Sequence, residues 1–307
     1  MVFSIIIPHH NIPDLLQRCL DSIPQRDDLE VIVVDDNSDP AVVDFDNFPG
    51  KDRPDVKILR NDKRWAGTAR NKGIEVATGR WLIFADADDY FNYCFNALLD
   101  KYADSEADIV YFNANSLDCE CYCHTKQTDW REQHINRLFG WCLEGRSKGE
   151  VYLRYVWGEP WAKMFRRKMV VENNFRFDAT PIHNDTTFVY MCGHYARKIE
   201  IDKHCVYCVT YRPSSLHLSI SEENLLARVD VFARKERFMR DNTPYALLDR
   251  VDRSHYITLV DLVGKSREAR RKAWETLKVY RLTGVRTHLW FWYYAVRRIT
   301  RWVLGRE

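Results

Sequence analysis

Two short acidic runs hold the side chains most suited to chemistry. Asp35-Asp36-Asn37-Ser38 follows the apolar segment Val31-Ile32-Val33-Val34, and Asp86-Ala87-Asp88-Asp89 follows Trp81-Leu82-Ile83-Phe84-Ala85. Carboxylates with no His or thiolate beside them form a hard-oxygen donor set, which selects Mg²⁺ or Mn²⁺ over zinc. Mg²⁺ usually takes one or two protein carboxylates and fills the rest of its shell with substrate phosphates, so a diphosphate is the natural guest. An Asp before a helix can also serve as an N-cap, but a cap needs one acid and the second run has three. No Walker A or GxGxxG sequence opens any helix. Phosphate must then be held through the cation and through basic or amide groups, for which Arg70 or Asn71 is the candidate.

Side chains on separate segments act together only if the fold aims them at one place. Phe3 to Ile7, Glu30 to Asp35, Val56 to Leu59 and Arg80 to Ala85 read as strands, the longer ones continuously apolar, as strands buried on both faces are. Leu15 to Ile23 and Thr68 to Ala77 have helical spacing. Strands separated by helices imply right-handed crossovers and an α/β fold with a mostly parallel central sheet. Ligands of such sheets bind beyond the carboxyl ends of the strands, and both acidic runs fall there.

At 307 residues, with 46% hydrophobic and 29% charged residues, the chain is a folded globular protein with room for one large or two modest domains. The opening residues lack the features of a signal peptide, no apolar run is long enough to span a bilayer, and the nine Cys are expected to be reduced. A cytoplasmic location follows, peripheral to the membrane if the tail binds it. The net charge of +2 hides an asymmetry: residues 265–307 hold twelve Lys/Arg against three Glu, leaving the remainder at −7. That pattern argues against nucleic acid as a partner and for a local anionic surface at the C-terminus.

Five segments together resemble, in order and spacing, the family 2 glycosyltransferases of GT-A fold. They are Ile5-Ile6-Ile7-Pro8, Val33-Val34-Asp35-Asp36-Asn37-Ser38, Gly67 to Ile74, Ala77-Thr78-Gly79-Arg80-Trp81 and Phe84 to Asp89. The resemblance implies inverting transfer of a sugar from a nucleoside diphosphate sugar to a saccharide or lipid-linked acceptor hydroxyl, with Mg²⁺ or Mn²⁺ as cofactor. It implies that Pro8 and Asp36 line the nucleoside, and that Asp86 and Ala87 of the DxD motif meet the ribose and donor sugar. It likewise implies that Asp88 is the direct metal ligand and that Arg70 or Asn71 lies near the nucleotide. Trp157 to Arg167 is similar to the family's Trp-x-Lys segment, with Trp161 and Lys163 toward sugar and phosphate. His183-Asn184-Asp185 stands at the family's Glu-Asp pair, with Asn in place of Glu. Asp185 is the expected general base, or else the N-cap of the helix that follows. Arg212 or His217 would close over the diphosphate.

This reading assigns residues 1–218 to the catalytic domain, with 1–115 as the nucleotide-sugar half and 116–218 as the acceptor half, and 219–307 to a helical appendage. Within the appendage, Glu223 to Met239, Tyr245 to Val263 and Arg267 to Tyr280 are expected helices. Leu289 to Val296, eight apolar or aromatic residues between arginines, suits an anionic membrane surface over 281–306, or else packs on protein. Cys119-x-Cys121-x-Cys123-His124 lacks zinc-site spacing. Two other readings remain: a transferase-like scaffold without catalysis, and a sugar-1-phosphate nucleotidyltransferase, whose Gly-rich loop after the first strand is replaced here by His9-His10-Asn11.

Overall fold

The computed structural model describes residues 1–212, 221–243 and 254–303. The chain divides into two compact units, Met1–Ala179 with Asn184–Ser215, and Thr180–His183 with Leu216–Glu307.

In the first unit the order is β1 (Phe3–His9), α1 (Pro13–Asp21), β2 (Leu29–Asp35), β3 (Val56–Arg60), α2 (Ala66–Val76), β4 (Trp81–Phe84), β5 (Tyr90–Phe91), α3 (Phe95–Tyr102) and β6 (Ile109–Asp118). Then come α4 (Lys126–Leu143), α5 (Ser147–Tyr155), β7 (Lys163–Arg166), α6 (Arg167–Glu172), α7 (Thr186–Tyr195) and β8 (Ile199–Tyr211). The strands form an eight-stranded sheet in the order β3-β2-β1-β4-β7-β6-β8-β5. The first four are mutually parallel, β7 runs against both β4 and β6, β6 and β8 are parallel, and β5 runs against β8. All seven residues of β1 and of β2 are buried, which is why their middles, Ile5-Ile6-Ile7 and Val31-Ile32-Val33-Val34, are continuously apolar rather than alternating.

Strand β8 begins eight residues earlier than Tyr207, where the apolar pattern alone would start it. Its first half carries Glu200, Asp202 and Lys203, and its pairing with β6 shifts register near Phe112 and Asn113. Such an irregularity breaks the alternation by which a strand is read. The cysteines also depart from expectation: Cys121 and Cys123 are joined by a disulfide, their Cα atoms 5.2 Å apart, a separation a bridge can span. The other seven are free thiols.

The second unit holds α8 (Glu222–Asn242), α9 (Ser254–Asp261), a 3₁₀ turn at Leu262–Gly264, α10 (Arg267–Val279) and α11 (Val285–Val303). Leu225, Val229, Tyr256, Ala273 and Leu277 form its apolar core. The expected helix from Tyr245 lies partly outside the described residues, as does His217. Among the described residues no helix is long and apolar enough to cross a membrane.

Candidate active site

Strand β4 sits between β1 and β7 in the middle of the sheet, and its end delivers the acidic loop. Oxygen atoms of Asp86, Asp88 and Asp89 all lie within 4.8 Å of one another. The loop caps no helix, because it runs into β5, and α3 starts only after Cys94. Strand β8 braces it from below: the Asp86 N–H donates to the Tyr207 hydroxyl at 2.8 Å, and the Thr210 N–H donates to Asp89 Oδ1 at 2.7 Å. From α1, Arg18 donates to the Asp88 carbonyl, as does the Thr210 hydroxyl. Burial, with Asp88 and Asp86 adding, pushes the enclosed Asp89 carboxyl well above its ordinary range. Burial and Asp86 push Asp88 up as well, opposed by Arg212, whose Nη2 donates to Asp88 Oδ2 at 2.7 Å. An all-oxygen set of converging, partly desolvated carboxylates fits a hard divalent cation, with Asp86 and Asp88, the two partly exposed members, able to reach it.

A single guanidinium ties this loop to the opposite wall. Arg70, buried on α2, donates through Nη2 to Asp86 Oδ1 at 2.5 Å and through Nη1 to Asn184 Oδ1 at 2.8 Å. Its neighbour Asn71 is engaged elsewhere, exchanging hydrogen bonds of 2.9 and 2.8 Å with the backbone of Phe177. Arg70 rather than Asn71 therefore faces the acids. Gly67, one turn earlier, allows this approach: a Cβ there would stand 2.1 Å from the Asp178 carbonyl and 2.9 Å from Asn184 Cβ.

Asp185 follows Asn184 at the mouth of α7, and its side chain makes no capping hydrogen bond. Burial pushes its carboxyl up to about 7, against the pull of Arg70 and with a push from Glu159 and Asp86. Phe188, one turn into α7, is held in a ring cluster with Phe84, Phe165 and Phe177 at centroid separations of 4.1 to 5.4 Å. Phe84 is the last residue of β4, so one aromatic cluster supports both the acidic loop and the helix that carries Asp185.

Trp161 and Lys163 sit deeper than the sequence suggests. Trp161 is buried and stacks on Tyr207 with centroids 5.5 Å apart. Lys163 is also buried; its Nζ donates to the carbonyls of Trp157 and Glu159 and lies 4.0 Å from the Trp157 ring centroid. Burial pushes this ammonium down to about 7, with Glu159 and Asp185 opposing. Its direct partners are the carbonyls of the loop that presents Glu159.

At the ends of the neighbouring strands, Pro8 lies within β1 opposite Val34. His9 Nδ1 is 3.0 Å from Asp35 Oδ1, and the Ile12 N–H donates to His9 Nε2 at 3.2 Å, so the proton sits on Nδ1. Burial raises the Asp35 carboxyl, but its hydrogen bonds from His9 and Ser38 outweigh this and hold it below the usual range. Asp36, partly exposed beyond β2, accepts from Asn61 at 2.8 Å. Arg18, Tyr207, Thr210 and Asn61 were not singled out by their sequence context. Each acts through contacts with residues distant in the chain, to backbone groups for Arg18, Tyr207 and Thr210 and to the Asp36 carboxylate for Asn61, which no local spacing encodes.

A family model described as glycosyl transferase family 2 matches residues 4–196. The uncharacterized glycosyltransferase YibD of Escherichia coli is 30% identical over 191 residues, 59% of this chain and 53% of that protein. The putative glycosyltransferase EpsH of Bacillus subtilis is 25% identical over 257 residues, 78% of this chain and 69% of its own. The chain thus spans about half the length of YibD. Among solved structures, Staphylococcus aureus TarS 1–349 in complex with UDP-GlcNAc superposes with a TM-score of 0.63 at 17% identity, over 94% of this chain and 83% of that one. The mannosyltransferase PcManGT of Pyrobaculum calidifontis, in complex with GDP-Man and Mn²⁺, gives 0.57 at 16%, over 99% and 88%. These likenesses establish a GT-A fold, and the family match, covering more than half of the residues, makes this chain a member of glycosyl transferase family 2.

Proposed function

We propose that the chain is an inverting, divalent-metal-dependent glycosyltransferase. It moves a sugar from a nucleoside diphosphate sugar to a hydroxyl of a saccharide or lipid-linked acceptor, in the synthesis of a surface polysaccharide or glycolipid. The observation that carries this reading is the Arg70 fork, which links Asp86 of the acidic loop to Asn184, the residue before a carboxyl poised near neutrality. In this reading Asp185 accepts the proton of the attacking hydroxyl as the new bond to the sugar's anomeric carbon forms and the bond to the diphosphate breaks. Asp86 and Asp88 would hold the cation, which when bound would supply charge neutralisation for the leaving diphosphate. Arg70 and Arg212 add positive charge on the same side, and Arg212 leaves Asp88 to do so. Pro8, Asp36 and Ala87 line the donor. Trp161 supports the cleft through Tyr207, and Lys163 positions the Glu159 loop.

Complexes of TarS with UDP-GlcNAc and of PcManGT with GDP-Man and Mn²⁺ support a nucleotide-sugar donor and leave the base and sugar open. For residues 281–306 the partner in this reading is an anionic membrane surface. Asn184 in place of an acid favours one rival, a scaffold without catalysis. Incubation with a panel of UDP, GDP and dTDP sugars and Mn²⁺ decides between them: slow metal-dependent hydrolysis of one donor supports the enzyme, and inertness toward all of them supports the scaffold.

A further inference from the structure

Helix α11 has two apolar sides, and only one of them is covered. At 100° per residue, Thr287, Trp290, Phe291 and Tyr294 fall on one side, where Thr287 is buried and the aromatics pack against the core of the second unit. Val285, Leu289, Trp292, Tyr293 and Val296 fall on the other, exposed by 50% to 76%. Their spacing of four, three, one and three residues makes a continuous stripe along three turns. A helix kept only for packing has no need of the second stripe, and water disfavours it.

The charges bordering the stripe indicate what covers it. Residues 276–306 hold seven Lys/Arg and not one Asp or Glu. Lys278, Arg281 and Arg297 are exposed, and the Arg297 guanidinium lies 5.9 Å from the Tyr293 ring centroid, at the edge of the stripe. Two copies meeting through this face would set arginines against arginines. An anionic lipid leaflet instead neutralises the cations while accepting the Trp, Tyr and aliphatic side chains at headgroup depth. Nineteen residues of helix, about 28 Å long, would lie in the plane of the surface. We infer that the exposed face of α11 is a docking surface for anionic phospholipid membranes. The inference deepens the membrane reading above and does not depend on the transfer chemistry.

The full chain is mixed with vesicles of phosphatidylcholine alone or with phosphatidylglycerol added. Partition should be roughly tenfold or more stronger into the anionic vesicles, fall steeply with added salt, and bring a blue shift of Trp emission. Leu289→Ser with Trp292→Ser should abolish binding while leaving far-UV circular dichroism and donor hydrolysis unchanged. Arg297→Glu, which keeps the apolar stripe, should weaken binding in the same direction. Equal partition into neutral vesicles, or none into either, overturns the inference. So does a dimer by light scattering that the Leu289/Trp292 variant breaks, which would assign the face to a second copy. None of these outcomes touches the catalytic reading, which donor hydrolysis tests separately.

Discussion

Replacing Asp185 by Asn keeps the size of the side chain and removes its proton-accepting charge. Donor affinity should persist while transfer falls by roughly 10² to 10⁴; equilibrium titration with nucleotide sugar and a steady-state assay separate the two effects. As the proposed base Asp185 would work deprotonated, and with its carboxyl pushed up to about 7, kcat/KM of the native chain should climb about tenfold per unit at acid pH and level off above about 7. Asn184→Glu adds a like charge beside that carboxyl, so the inflection should move to higher pH. An unchanged inflection would show that residue 184 does not couple to the base. The DxD acids could be recognised in the sequence because they follow the short apolar run of β4, and Asp185 could be named only through the family resemblance of His183-Asn184-Asp185 ahead of a helix. The residues that hold them could not: Thr210 grips a loop 121 residues away, and Arg18 reaches Asp88 across 70.

Helix α2 and the segment carrying Asn184 touch at Gly67, where any Cβ would meet backbone. Gly67→Ala should therefore cost about 1 to 3 kcal/mol and lower the melting temperature by several degrees. It should also reduce kcat more than a destabilising change remote from the cleft, since it separates Arg70 from Asn184. Thermal unfolding and turnover measured on the same preparation check both effects. The central parallel strands were readable because strands buried on both faces carry continuous apolar runs. Strand β8 was only half readable, since its charged opening turns resemble a loop until their pairing with β6 is seen. Burial of Trp161 and Lys163 was not readable either, because a Trp-x-Lys pair looks the same whether it lines a cleft or lies beneath one.

Donor and cation together should stabilise the folded chain more than either does alone. At a hundredfold excess over Kd the gain is about 2.7 kcal/mol, a shift of several degrees, and Asp88→Ala should erase it. A shift with nucleotide sugar that ignores both chelator and Asp88→Ala would remove the cation from the reading. One feature of the sheet also governs how the cleft comes into being during synthesis. The loop after β4 receives its support from Tyr207 and Thr210, which leave the ribosome about 120 residues after it. At 5 to 20 residues per second, the acids wait roughly 6 to 24 s for their braces. During that interval the loop can be held only by groups that precede it in the chain, Arg18 and Arg70. The acidic loop therefore reaches its full set of contacts only after β8, the last strand described in the first unit, has emerged.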